Sequence, residues 1–215
     1  MNDIWPLFDI CIEAADLSLR PPDDEAVFAL GELAGKGIHE PELMPFSTPW
    51  SDLKSPDLEK SVLQNIWKNR ANFDKQSWCL DFAVFKDGCP IGIQDIRGEN
   101  FNIRRSISTG SWLGKEFQGQ GIGTSVRRAI LDFAFFGLMA NEAHSDAYED
   151  NFASIRVSQK LGYEANGTQT WARRGKPAKS LNWIVTREKW VQSNHDRAKI
   201  IGLDRCLNWF GTESD

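Results

Sequence analysis

A run of alternating glycines carries the clearest chemical signal in this sequence. The segment reads Gln118-Gly119-Gln120-Gly121-Ile122-Gly123-Thr124 and opens a stretch with the apolar period of an amphipathic helix. Because glycines leave backbone N–H groups uncovered and a helix N-terminus adds partial positive charge, the segment predicts a phosphate-binding loop. Its spacing matches neither G-x-G-x-x-G nor the Gly-Lys-Ser/Thr ending of a P-loop, which excludes a standard dinucleotide or nucleoside-triphosphate site. A ligand that carries a pyrophosphate remains compatible with this loop.

A second polar pattern follows about 30 residues later. Asn151, Ser154 and Ser158 are spaced so that they share one face of a helix predicted over residues 151–161. This stripe has two interpretations: a helix cap with solvated serines, or the second wall of the cleft that the glycine loop begins. The second interpretation rests on a general rule, since parallel strands that end side by side, each leading into a helix, place ligands at their carboxyl ends.

Strands and helices must position the two motifs, and the periods of the hydrophobic residues predict both kinds of element. An Asp-Gly turn divides two strands over residues 78–96, which indicates a hairpin. A further strand over 107–113 leads into the glycine loop, and a short strand over 143–148 leads into the second helix. With helices predicted over 23–33 and 56–73, the order of elements favours an α/β or α+β fold with a mixed sheet.

Composition limits the remaining classes of protein. The chain has 215 residues, of which 41% are hydrophobic, enough for one domain with a sizeable core. The formal net charge of −5 argues against DNA as a partner. The four cysteines form no C-x-x-C pair and the three histidines have no metal-ligand spacing, so no metal site is predicted. Neither a signal-peptide pattern nor a bilayer-length apolar stretch is present, which favours a cytoplasmic protein without a membrane partner.

Together the two motifs resemble those of a known family. Residues 118–123 resemble the Q/R-x-x-G-x-G/A acyl-CoA motif of the GNAT N-acetyltransferase superfamily, and residues 151–163 resemble its N-x-x-S…K-L-G-F/Y signature. Their order and separation are similar to those of the RimJ/RimL-type branch of ribosomal-protein N-acetyltransferases, over roughly residues 15–190. The resemblance implies a mixed, splayed, mostly antiparallel sheet flanked by helices. It also implies transfer of the acetyl group of acetyl-CoA to a primary amine, on a protein N-terminus or a small molecule.

The resemblance assigns binding roles to three segments. Main-chain groups of Trp112 and Leu113 would pair with the pantetheine arm as an added strand does, and would donate to the oxyanion of the reaction. Asn151 would bind the polar arm of the coenzyme, and Ser154 would protonate or hydrogen-bond the leaving thiolate. The coenzyme A pyrophosphate would be held by the backbone of Gln118, Gly119, Gln120, Gly121, Ile122, Gly123 and Thr124.

The general base is the least constrained part of the predicted site. Many members of the family carry a glutamate on the strand before the glycine loop, whereas residues 104–110 of this chain contain no acid. Glu99 and Asp95 are the nearest acidic residues, and a water relay could connect either one to the amine. We expect Glu99 to act as the base, with Asp95 as the alternative. The missing glutamate also permits a second function, a non-catalytic acyl-CoA-binding or sensor module with the same fold.

Other segments have predicted places around this site. The domain is expected to span residues 1–191, and the apolar tail over 192–215 to pack on it or on a second subunit of a homodimer. Residues 38–55 and the late hairpin, whose turn at 173–177 is basic, are expected on the acceptor side. Arg127 and Arg128 fall off the apolar stripe of their helix. Either one could contact a coenzyme phosphate, and the alternative is that they are solvated helix charges.

Overall fold

One sheet forms the centre of the computed structural model, which describes residues 3–212. The start of the predicted domain at residue 1 and the end of the predicted tail at residue 215 lie outside the described residues. Within that range its strands are β1 (Cys11–Ala14), β2 (Leu17–Arg20), β3 (Ser77–Lys86), β4 (Cys89–Glu99), β5 (Ser106–Leu113), β6 (Glu142–Tyr148), β7 (Glu164–Arg173), β8 (Lys176–Thr186) and β9 (Lys199–Ile201). Their spatial order is β7-β8-β6-β5-β4-β3-β2-β1-β9. Neighbouring strands are antiparallel except β5 and β6, which are parallel.

Helices cover both faces of this sheet. They are α1 (Asp24–Gly35), α2 (Asp57–Ala71), α3 (Phe101–Arg104), α4 (Ile122–Asp132), α5 (Phe152–Lys160) and α6 (Arg187–Gln192). Helices α1 and α2 pack on one face, against Ala83 of β3 and Ile93 of β4. Helix α4 lies on the other face, where Phe133 at its end contacts Phe82 of β3 with ring centroids 5.5 Å apart. This mixed, mostly antiparallel sheet flanked by helices confirms the predicted fold class. None of the helices between residues 3 and 212 has the length and apolar character to cross a bilayer.

The hairpin of β3 and β4 forms around the predicted Asp-Gly turn. Asp87 and Gly88 both have positive φ angles, 49° and 79°, as a two-residue hairpin turn of this kind requires. A β-bulge between Val84 and Phe85 then shifts the register by one residue. Because a one-residue shift changes which side chains face each other, Asp81 lies opposite Asp95 rather than opposite the residue before it.

The sheet divides between β5 and β6. These two strands pair only through residues 106–108 and 142–144, of which Ser108 and His144 form the last pair. Beyond that pair β5 continues beside β4 as far as Leu113, and β6 continues beside β8 as far as Tyr148. The two strands therefore run on in separate halves of the sheet and leave a cleft between them, which confirms the predicted splay.

The tail after α6 returns to the far edge of the sheet. Strand β9 pairs antiparallel with β1, and the following segment buries Leu203, Cys206 and Phe210 in the core. Asp132 at the end of α4 anchors the connection, because it accepts hydrogen bonds from Trp190 Nε1 and from the amide of Ala198, both at 2.9 Å. The tail thus packs on its own domain within the described residues.

Candidate active site

The glycine loop leaves β5 and turns directly into α4. Gly119 and Gly121 have φ angles of +73° and +82°, and no other atom lies within 4 Å of where a β-carbon would stand on either glycine. The amide N–H groups of residues 119–123 donate to no acceptor in the part of the chain that the structure describes. Five consecutive free donors beside a helix N-terminus form a cradle suited to an anion.

The Gln118 side chain fixes the start of this loop. Its Nε2 donates to the carbonyl of Leu113 at 2.8 Å and to the carbonyl of Ile38 at 2.7 Å. These bonds tie the loop to the end of β5 and to the segment after α1. Both donor groups of Gln118 are therefore committed to the protein, since its amide N–H also donates to the carbonyl of Lys115 at 3.3 Å.

Helix α5 begins on the other side of the split. Asn151 Oδ1 accepts the amide N–H of Ser154 at 3.2 Å, so the Asn151 side chain caps the helix. The half-buried Ser154 hydroxyl has no partner within residues 3–212. Ser158, one turn further along, is fully buried and its hydroxyl is also unpaired, so it is not a solvated serine. The structure thus leaves the Ser154 hydroxyl available to a ligand and gives Asn151 a structural duty as well.

Asp95 of the neighbouring strand β4 is buried against β5. Its Oδ1 accepts the amide N–H of Gly110 at 2.9 Å, and its Oδ2 lies 3.0 Å from Nη2 of Arg97. Gly110 belongs to the part of β5 that has left β6. A β-carbon at residue 110 would lie 2.7 Å from Asp95 Oδ2, so the carboxylate occupies the space that a side chain on β5 would otherwise fill.

A second buried carboxyl, Asp81, lies opposite Asp95. Burial raises the pKa of Asp81 to about 7, and the negative charge of Asp95 adds to the shift, whereas a hydrogen bond from Asn69 lowers it. The distance from Asn69 Nδ2 to Asp81 Oδ2 is 2.9 Å. Sequence reasoning did not single out Asp81. The one available signal was an acid in an otherwise apolar strand, and it did not show that the register places it beside Asp95.

Replacing Asp81 with asparagine is expected to remove a pH dependence of stability. Because its folded-state pKa is raised, folded protein retains a proton that the unfolded chain releases between about pH 4 and 7. The stabilisation of the folded state by protonated Asp81 is complete below about pH 4 and is lost as the pH rises through 7. Between about pH 5 and 8 the free energy of unfolding should fall by roughly 2–3 kcal/mol more in the wild type than in Asp81→Asn.

Urea unfolding at several pH values tests this expectation. Glu99→Gln provides the control, since the Glu99 side chain is 74% exposed and its replacement should leave the pH dependence of stability unchanged. An identical pH dependence in the wild type and in Asp81→Asn would contradict a raised pKa.

Glu99, the base expected from the sequence, lies further along β4. Its carboxylate is 3.3 Å from Arg104 Nη1 and lines an open groove of about 530 Å³. The groove also includes Arg97 and reaches Ser108 and His144, the last residues that pair before the strands separate. Glu99 is thus on a path to the cleft, whereas Asp95 contacts the separated part of β5.

The two segments expected on the acceptor side contact each other. Arg173 donates to both oxygens of Asp150, at 2.8 and 2.7 Å, and to the carbonyl of Met44 at 3.2 Å. Arg174 donates to the carboxylate of Asp52 and to the carbonyl of Pro41. The two arginines of the basic turn are therefore bound to the loop after α1, although residues 174–177 remain exposed to solvent.

Arg127 also differs from its prediction. It is 5% exposed and lies between the separated strands, so it is neither a solvated charge nor a group free to reach a phosphate outside the protein. Its partners are polar side chains of the sheet.

The chain is similar in sequence to a protein named for ribosomal N-acetyltransferase activity, YdaF of Bacillus subtilis (strain 168). The two are 27% identical over 88 residues, which cover 41% of this chain and 48% of YdaF. The match thus spans about half the length of that relative.

Solved structures share the fold over most of the chain. RimJ of Mycobacterium smegmatis in complex with a CoA-disulfide superposes with a TM-score of 0.70 at 18% identity, over 94% of this chain and 95% of RimJ. RimL, a ribosomal L7/L12 alpha-N-protein acetyltransferase in complex with coenzyme A, superposes with a TM-score of 0.66 at 19% identity. The match covers 83% of this chain and 99% of RimL. A chimera of the spermidine N-acetyltransferase SpeG, from Vibrio cholerae and hSSAT, superposes with a TM-score of 0.66 at 16% identity. The match covers 83% of this chain and 100% of the chimera.

The family is identified by a match to the model of the acetyltransferase (GNAT) domain. It extends over residues 16–164, more than half of the chain. That span contains the divided strands β5 and β6, the glycine loop and helix α5. The chain therefore belongs to the GNAT acetyltransferase domain family.

Proposed function

We propose that this chain transfers the acetyl group of acetyl-CoA, the acyl donor of its family, to a primary amine. The observation that carries the proposal is the free row of amide donors at residues 119–123, placed where β5 and β6 have separated. A pyrophosphate is the anion that such a row fits. A cleft between two strands then accepts an extended arm, because the edge of each strand offers backbone hydrogen bonds.

In this proposal the chain holds the coenzyme along the split. The free amides of residues 119–123 bind the pyrophosphate, whereas those of Gln118 and Thr124, also expected there from the sequence, already donate to the carbonyls of Lys115 and Gly121. The main chain at Trp112 and Leu113 pairs with the pantetheine arm. Trp112 is fixed for this role, since it pairs with Ile93 of β4 and its ring lies 6.1 Å from that of Trp50. Asn151 binds the polar arm with the part of its amide that does not cap α5.

The reaction asks little covalent chemistry of the protein. Acetyl-CoA supplies an activated thioester, so the chain has to position the amine and remove its proton. We assign the proton-accepting role to Asp95, because its carboxylate lies against Gly110 on the separated part of β5. Glu99 is the competing assignment, and it reaches the cleft only along the groove.

The groove also bears on the acceptor. RimL is named for a protein N-terminus and SpeG for spermidine, so relatives of this fold differ in the amine they take. Arg97 and Arg104 both line the groove, and the one acidic side chain among its described lining residues is Glu99. Because a polyamine would bring several positive charges beside two arginines, we favour a protein N-terminus as the acceptor.

Release of free coenzyme A thiol, measured with a panel of amines, tests the proposed function. The panel should contain peptides with free N-termini, the same peptides with blocked N-termini, and spermidine. We expect thiol release with free N-termini and none with the blocked peptides. Tight binding of acetyl-CoA without turnover on any amine would instead support the non-catalytic acyl-CoA-binding module.

Replacing Ser154 with alanine is expected to lower kcat by roughly ten- to hundredfold. Its unpaired hydroxyl is the group we assign to the leaving thiolate, which departs without help but more slowly. Alanine keeps the backbone amide that Asn151 caps, so the helix should persist. Steady-state kinetics give the value, and Ser125→Ala on α4 is the matched serine control. An unchanged kcat in a folded Ser154→Ala variant would remove Ser154 from the mechanism.

A further inference from the structure

The Arg127 guanidinium lies at the point where the sheet divides. Nη1 donates to Ser145 Oγ of β6 at 3.0 Å, and Nη2 donates to Ser111 Oγ of β5 at 3.2 Å. Both serines come after Ser108 and His144, the last pair that joins the two strands. One side chain from α4 therefore links β5 and β6 after their own backbone pairing has ended.

The bonding of Arg127 is unusual for a buried charge. Within residues 3–212 its hydrogen-bond partners are the neutral side chains of Gln94, Ser111 and Ser145, and no carboxylate pairs with it. Burying a guanidinium without a counter-ion costs free energy, which the fold tolerates only where the hydrogen bonds are well placed. The planar fork of arginine suits this position because its two ends point to different acceptors.

Gln94, the third hydrogen-bond partner of Arg127, extends the network toward Asp95. Arg127 Nε lies 3.4 Å from Gln94 Oε1, and the Gln94 amide nitrogen donates to the carbonyl of Gly110 at 2.8 Å. The amide N–H of the same Gly110 donates to Asp95. Arg127 therefore influences both the separation of the strands and the orientation of the β5 segment that Asp95 contacts.

We propose that Arg127 is a positioning residue that holds β5 and β6 at the separation required by the pantetheine arm. It acts through Ser111, Ser145 and Gln94 and does not touch the reacting atoms. The inference rests on the proposed function for its effect on catalysis, but its effect on coenzyme affinity can be measured in the absence of any acceptor.

Arg127→Met keeps an apolar stem of similar length and removes all three hydrogen bonds. We expect the Kd for coenzyme A, measured by calorimetry, to rise about tenfold. Arg127→Lys keeps the charge, but a single ammonium cannot reach both strands as a fork does, so this variant should not restore the affinity. Ser111→Ala and Ser145→Ala should each raise the Kd about threefold, and neither should add to the effect of Arg127→Met.

Arg187→Met is the control for losing an arginine elsewhere. Arg187 donates to the carbonyl of Phe135 at 3.2 Å, far along the chain from the split, so its loss should lower stability and leave the Kd unchanged. A wild-type Kd in a folded Arg127→Met or Arg127→Lys variant would overturn the proposal. If both variants fail to fold, the double variant Ser111→Ala, Ser145→Ala decides, and an unchanged Kd there would also overturn it. Absence of turnover in the wild type would count against the proposed function and leave this comparison of affinities intact.

Discussion

Asp95→Asn is expected to lower kcat by about 10²- to 10⁴-fold, the range that a positioned proton acceptor contributes. Asparagine has the shape of the carboxylate and its oxygen can still accept the amide of Gly110, so the cleft should keep its form. What it loses is the ability to take a proton from the amine. The Kd for acetyl-CoA should change little, and steady-state kinetics with a saturating amine give kcat.

Glu99→Gln is the matched control for Asp95→Asn. Both changes convert an acid of β4 into its amide, and the two residues lie four positions apart on the same strand. We expect Glu99→Gln to alter the KM for the acceptor through the groove and to leave kcat within a few-fold of the wild type. The reverse result, a large loss in Glu99→Gln and none in Asp95→Asn, would assign the base to Glu99, as expected from the sequence.

A double replacement of Gly119 and Gly121 by alanine is expected to raise the Kd for coenzyme A by roughly 30- to 1000-fold. Both glycines have positive φ angles, a conformation that costs a residue with a β-carbon about 1–2 kcal/mol at each position. The loop would relax to avoid this strain and would turn its amides away from the bound pyrophosphate. Calorimetric titration with coenzyme A measures the effect without any acceptor.

Gly123→Ala provides the control within the same loop. Gly123 is not among the residues with positive φ, and its nearest neighbour, Leu113 Cδ1, would lie 3.9 Å from an added β-carbon. Alanine should therefore fit there, and the Kd should stay within about threefold of the wild type. An equal loss of affinity in Gly123→Ala and in the double variant would show that backbone conformation is not what makes the loop a binding site.

The parts of the site that could be predicted from the sequence depend on local physics. A glycine run before an amphipathic helix and an Asn cap three residues before Ser154 are both determined by neighbouring residues. The split between β5 and β6 is not local, and it was expected only because two motifs together resemble a family. Strands β1 and β9, of four and three residues, were missed, whereas the equally short β2 was predicted because Pro21 and Pro22 mark its end.

The acidic pair depends on a feature that leaves no mark in the sequence. With regular pairing from the Asp-Gly turn, Asp81 would face Gln94, and the bulge after Val84 places it opposite Asp95 instead. Arg127 illustrates a second kind of failure. Its position on the helix indicated a surface charge, and its burial follows from serines on two strands that are far away in the sequence.

The central claim is that an amine receives the acetyl group while coenzyme A leaves with a free thiol. The most direct measurement mixes the wild-type chain with limiting acetyl-CoA and a peptide that has a free N-terminus. Free thiol and acetylated peptide are then quantified in the same samples. We expect the two products to appear in equal amounts, and both to form about 10²- to 10⁴-fold more slowly in Asp95→Asn. Binding of acetyl-CoA with neither product, or thiol release without acetylated peptide, would contradict it.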